Sequence, residues 1–99
     1  MCDLLKHDDC LEDHIWEQLG VNIGLLLSKH ADYGARNISD APGGALNGLR
    51  VRMHDKLARI NHLIDNDQKP HYEALEDSFM DLANYALIAQ LVLNGHWEE

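Results

Sequence analysis

A chain of 99 residues with a formal net charge of −9 is sized for one domain, residues 1–99, and is too acidic to offer a basic surface to DNA or RNA. Its 45% hydrophobic and 25% charged composition belongs to a globular protein rather than a disordered one. A monomer of this size buries only about 60–65% of its unfolded surface, so further subunits would help materially. No apolar run approaches the roughly 20 residues that span a bilayer, and the opening MCDLLKHDDC lacks a signal-peptide core, so no membrane role and a cytoplasmic location are expected. A phosphorylated small molecule stays compatible with the acidity, because a divalent cation can bridge carboxylates and phosphates.

Near the N-terminus, Cys2 and Cys10 are expected as reduced thiols in such a compartment. His7, Cys10 and His14 share helical spacing, but without a CxxC or a second ligand pair the bland reading, a frayed first turn, is preferred to zinc. The first helix is expected over about residues 9–30, where Leu11, Ile15, Leu19, Ile23 and Leu26 recur on one face. Acids in its first turns suit the helix dipole. Gly20 and Gly24 would lie on one side, where another helix could approach. Residues 31–44, ADYGARNISDAPGG, read as a loop.

A second helix is expected over about residues 45–64, with Leu46, Leu49, Met53, Leu57, Ile60 and Ile64 as its apolar stripe. DNDQK reads as a turn and Pro70 as the first residue of a third helix, which runs to Leu93 before an Asn94-Gly95 stop. The fold class is therefore all-α: three main antiparallel helices. The third has two apolar faces. Leu75, Phe79, Leu82, Ala86 and Leu93 are expected to pack on the other helices. Tyr85, Ile88 and Val92 continue the side that bears Asp77 and Asp81. A three-helix unit cannot cover both, which points to a homodimer or larger homo-oligomer forming a helical bundle.

Chemistry concentrates on the second and third helices. Glu73, Asp77 and Asp81 follow one another at four-residue spacing and so share a side, where like charges repel unless they are solvated or given a counter-charge. A solvated acidic face is the plain reading; a hard cation such as Mg²⁺ or Mn²⁺ is the sharper one. Arg52, Asp55, Lys56 and Arg59 line a stripe beside the apolar one, either as weak surface ion pairs or as a basic cluster facing those acids. In the loop, Lys29 and Arg36 could meet phosphate and Tyr33 could stack on a base. Asp32-Tyr33-Gly34 reads equally well as a helix C-cap. No GxSxG, Walker-type, HExxH or dinucleotide fingerprint is present, and nothing suggests a covalent nucleophile.

Taken together, KHADYG, RMHDKLARINHL and EALEDSFMDLANYALI, within residues 29–88, resemble the phage and bacterial family called nucleotide modification associated domain 1. That family is thought to be related to the MazG-like all-α nucleoside triphosphate pyrophosphatases. The resemblance implies a helical, metal-dependent protein that acts on nucleotides in the cytoplasm, the host's if phage-encoded. An NTP or dNTP would be cleaved to the monophosphate and pyrophosphate, for nucleotide-pool control or nucleotide modification. By the same resemblance Asp55, Glu73, Asp77 and Asp81 would hold Mg²⁺ or Mn²⁺, with Asp55, Asp77 and Asp81 catalytic. Lys29, Asp32, Tyr33, Arg52, Lys56, Arg59, Asn84 and Tyr85 would bind the substrate. The chain departs from the MazG-like pattern of Glu-x-x-Glu on one helix and Glu-x-x-Asp on the next: Asp55 stands alone among basic residues, and the third helix uses four-residue spacing. A non-catalytic nucleotide-binding or sequestering protein, or a structural helical adaptor, are the alternatives.

Overall fold

The computed structural model describes residues 10–66 and 72–97, and among them every regular element is a helix. Helix α1 spans Leu11–Tyr33, α2 spans Arg36–Ser39, α3 spans Ala45–Asp65 and α4 spans Tyr72–Leu93. The long helices match the apolar periodicity of the sequence to within a few residues. None of the described helices is long and apolar enough to cross a membrane. Pro70 and His7 lie outside the described residues.

Backbone chemistry sets the helix ends. Gly34 takes φ 74°, a left-handed conformation that a side chain would disfavour, and its N–H closes α1 on the His30 carbonyl at 2.7 Å. At the end of α4 the Gly95 N–H donates to the Val92 carbonyl at 3.1 Å. The His96 N–H reaches the Leu91 carbonyl at 2.8 Å, completing a Schellman motif. The segment expected as a loop contains α2. Ile38 buries its side chain there, and the hydroxyl of Ser39 bonds the Ala35 carbonyl at 3.3 Å, so one apolar anchor organises an otherwise turn-rich stretch.

The core is small: Ile38 of α2, Leu49 of α3 and Ile88 of α4 are buried together, with Leu26, Tyr85, Ala89, Val92 and Trp97 packed around them. Leu49, 1% exposed, sits at its centre. Helices α3 and α4 make the most extensive contact in the molecule, while α1 meets α4 much more sparsely and buries none of its residues. Along the α3–α4 contact, Leu49 lies in the cluster of Ile88 and Lys56 bonds Asp81, so the two helices meet in opposite chain directions.

The expected assignment of the two α4 faces is corrected in part: on the face expected to pack inward, Leu75, Leu82 and Ala86 are half-buried. Ile88 is in the core with Tyr85 and Val92 packed beside it, whereas Phe79 and Leu93 are exposed. Apolar periodicity marks both faces but does not rank them. The inner face is the one whose polar groups find partners: Asn84 donates to the Asn22 carbonyl of α1 at 3.1 Å, Ser78 to the Ala74 carbonyl at 2.9 Å, and Asp81 accepts from two lysines. Gly20 and Gly24 have no close neighbour among the described residues, so the helix approach expected there does not occur among them. Cys10 is buried and engaged in a disulfide, which corrects the expectation of a reduced thiol at that position and removes it as a zinc ligand.

Candidate functional site

The C-terminal end of α1, the start of α2 and the middle of α3 and α4 enclose a cleft of about 250 Å³. Helix α1 contributes Lys29, His30 and Tyr33, because a turn of helix brings positions 29 and 33 to the same side. The chain then turns at Gly34 and returns as α2, adding Asn37 and Ile38. Arg52 comes from α3, and Asp81, Asn84, Tyr85 and Ile88 from successive turns of α4.

Trp97 closes the far side. Its indole N–H donates to the Ala35 carbonyl at 3.2 Å, and its ring meets His30 edge to face at a centroid distance of 5.1 Å. His30 Nδ1 is buried there without a hydrogen-bond partner. On the opposite wall the Arg52 guanidinium lies 5.9 Å from the Tyr85 ring centroid and donates to the Asn37 carbonyl at 3.2 Å. The cleft thus has four ring-bearing side chains, His30, Tyr33, Tyr85 and Trp97, beside the cations Lys29 and Arg52 and the single carboxylate Asp81. On a chain of net charge −9, its titratable lining is cationic by one charge at neutral pH, with histidine neutral.

Asp81 is the centre of the arrangement. Lys29 of α1 reaches its Oδ1 at 3.0 Å and Lys56 of α3 reaches its Oδ2 at 2.9 Å, so one carboxylate joins three helices. Partial burial alone would raise the Asp81 carboxyl; the hydrogen bonds from Lys56 and Lys29, with their charges, outweigh it and hold the group below the usual carboxylate value. For Lys29, partial burial acts to lower the ammonium. The hydrogen bond and charge of Asp81, with smaller contributions from Tyr85 and Tyr33, prevail and raise it.

Beyond Asp81 the same α3–α4 contact opens into a second, shallower hollow, lined by Lys56, Arg59, Glu73, Asp77, Ser78 and Asp81. The acidic line and part of the basic stripe therefore do face each other. Asp81 lines both hollows and separates them.

Several expected site residues are placed elsewhere. Asp55 is exposed on α3 and lines neither hollow, and Asp32 is exposed at the end of α1, also outside both. Arg36 pairs with Asp40 at 3.0 Å. Asn84 borders the cleft, but its amide is committed to tethering α4 to α1. His30 and Trp97 were missed by sequence reasoning. Trp97 lies past the helix stop with no periodicity to flag it, although a lone tryptophan after an Asn-Gly stop is a cue that a chain end folds back.

Of the residues that the resemblance implies for Mg²⁺ or Mn²⁺, Glu73, Asp77 and Asp81 line one hollow. Both Asp81 oxygens carry a lysine ammonium, Asp55 is apart, and no group of three or more His, Cys, Asp or Glu side chains suited to a metal ion converges among the described residues.

The fold and site thus define an all-helical protein with an aromatic, cation-lined cleft joined through a Lys–Asp–Lys centre to a mixed-charge hollow. By sequence it belongs to the family described as nucleotide modification associated domain 1, whose model matches residues 29–93 and so includes every cleft residue except Leu26 and Trp97. No curated protein and no solved structure matches the chain.

Proposed function

We propose that the protein binds a nucleoside phosphate in this cleft, the base among Tyr33, Tyr85, His30 and Trp97 and the phosphates toward Lys29, Arg52 and Lys56. The observation that carries the reading is the convergence of Lys29 and Lys56, from two helices, on one point at the edge of an aromatic cavity. Flat rings offer stacking surface to a base, and lysine ammoniums and an arginine guanidinium suit phosphate oxygens. Family membership supports a nucleotide as the ligand class.

The reaction to test first is release of pyrophosphate from an NTP or dNTP, as expected of a relative of the MazG-like enzymes, in nucleotide-pool control or modification. Arg52 and Lys29 would neutralise the phosphates and the ring-lined walls would exclude water from the base. Canonical and modified dNTPs are incubated with and without Mg²⁺ or Mn²⁺, and products are separated by chromatography. Monophosphate formation that is lost in Arg52→Met supports hydrolysis. No product together with calorimetric binding supports retention of the nucleotide without turnover, a reading favoured by the commitment of both Asp81 oxygens to lysines.

The assembled form is a homo-oligomer, most simply a dimer, with the outward face of α4 covered by a second copy. Phe79 and Ala83 form a ridge there, flanked by hollows that reach Leu75 and Met80 on one side and Met53 and Leu57 on the other. Among the described residues Glu76 is the one acidic side chain that borders these hollows, with Arg50 as a counter-charge, so two acidic chains can meet at this face. Apolar side chains on α1, α3 and α4, among them Trp16, Ile23, Leu57 and Phe79, are between two-fifths and two-thirds exposed. A standard interface, ~800 Å² per partner, would cover a set of this kind. The Cα radius of gyration, 16.1 Å, also exceeds the ~13 Å of a compact chain of this length. Light scattering is expected to give a dimer or larger species, and Phe79→Asp a monomer; a monomeric wild type refutes this.

A further inference from the structure

Two lysines on different helices each donate to a separate oxygen of the same carboxylate, at 3.0 Å and 2.9 Å. That geometry matches what two ammoniums do with two oxygens of a phosphate group. One negative charge between two positive ones leaves these three groups with an excess of +1, which attracts a further anion on the cleft side, away from Glu73 and Asp77. Of the acidic line, Asp81 alone has this engagement: Glu73 and Asp77 line the neighbouring hollow, and neither forms an ion pair with Lys29 or Lys56. The carboxylate is also accessible from the cleft, because Lys29 and Asp81 both line it and Lys29 is about half exposed.

From this we infer that Lys29 and Lys56 form a metal-independent phosphate site and that Asp81 is its internal occupant, a stand-in that an incoming phosphate exchanges with rather than a cation ligand. The inference rests on the reading of the cleft as a nucleotide site and assigns its phosphate subsite. In the resting protein Asp81 keeps two flexible side chains in place, which lowers the conformational entropy lost when phosphate arrives. It also competes with that phosphate. Asp81 is thus a positioning residue and a tunable brake on affinity, and removal of its charge should strengthen anion binding, whereas removal of a cation ligand should abolish it.

The two roles predict opposite signs in one titration. Inorganic pyrophosphate is titrated by calorimetry into wild type and Asp81→Asn, in EDTA and again in Mg²⁺. Wild type is expected to bind in EDTA, Asp81→Asn about tenfold more tightly, from loss of one adjacent like charge, and Lys56→Met at least tenfold more weakly than wild type. Equal or weaker binding by Asp81→Asn, or wild-type binding that requires Mg²⁺, overturns the inference. If Asp81→Asn does not fold, wild type alone decides: pyrophosphate in EDTA shifts the Lys29 and Lys56 ammonium resonances, and unmoved resonances overturn the proposal. Should nucleotides bind in Mg²⁺ while pyrophosphate never engages the lysines, the exchange role fails and the functional reading stands. If no nucleotide binds under any condition, both fail together.

Discussion

Asn84→Ala should loosen α1 selectively. Helix α1 has no buried residue, and its ties to the rest of the described structure include the Asn84 amide bond to the Asn22 carbonyl at 3.1 Å, the Lys29–Asp81 pair and the packing of Leu26 at the core edge. The ion pair is about half exposed on its lysine side, so it supplies no more than about 1 kcal/mol. Asn84 itself is 7% exposed, and loss of a buried neutral hydrogen bond costs about 1 kcal/mol, with somewhat more from the small void. At RT of about 0.6 kcal/mol, a local opening constant would rise roughly fivefold. Hydrogen exchange followed by mass spectrometry is the assay. Peptides covering Asn22–His30 should exchange about five times faster, while those around Leu49 stay within experimental scatter of wild type. Because Lys29 and Tyr33 ride on α1, nucleotide affinity should weaken by a similar factor. Uniform acceleration across α1, α3 and α4, or an unaltered α1, would refute the reasoning that this amide is a main tether of the helix.

Leu49→Ala removes a fully buried side chain from the centre of the Ile38–Ile88 cluster and should cost about 3 kcal/mol, a fall of roughly 15 °C in the thermal midpoint; a change under about 1 kcal/mol in denaturant titration would show that the cluster is not the core. Gly95→Ala places a Cβ at φ 74° and should destabilise the end of α4 by about 1 kcal/mol, read as a lower midpoint with unchanged nucleotide chemistry. The Asp81 carboxyl is lower in the folded state than unfolded, so its contribution is full above the ordinary carboxylate range and disappears as pH falls through the folded value. Lys29 is raised, so its contribution is full below the ordinary lysine value and disappears as pH climbs through the folded one. Melting measured from acid to alkaline pH should therefore show both losses in wild type, and Asp81→Asn should flatten each; an unchanged acid limb in the variant would exclude the Lys–Asp–Lys centre as its cause.

The amino-acid sequence by itself determined the helices and most of the chemistry-bearing residues. Leu11, Ile15, Leu19 and Ile23 at helical spacing, the Leu49–Ile60 stripe and the Gly34 and Asn94-Gly95 stops are local signals, because backbone hydrogen bonding and φ preference act within a few residues. Lys29, Tyr33, Arg52, Lys56, Asp81 and Tyr85 were legible as candidates from residue type, spacing and family pattern. Tertiary structure alone decided which of them meet. Lys29 and Lys56 reach opposite oxygens of Asp81 only because α1 and α3 flank α4 at that turn, and Asp55, one residue from Lys56, points away because adjacent helical positions are about 100° apart. It also decided which apolar face of α4 turns inward. That choice is settled by whether Ser78, Asp81 and Asn84 can be given partners, and long-range pairings of this kind leave no period in the sequence. Trp97 follows the same rule: its indole meets His30 and, across 62 residues of chain, the Ala35 carbonyl, contacts that only the folded path creates.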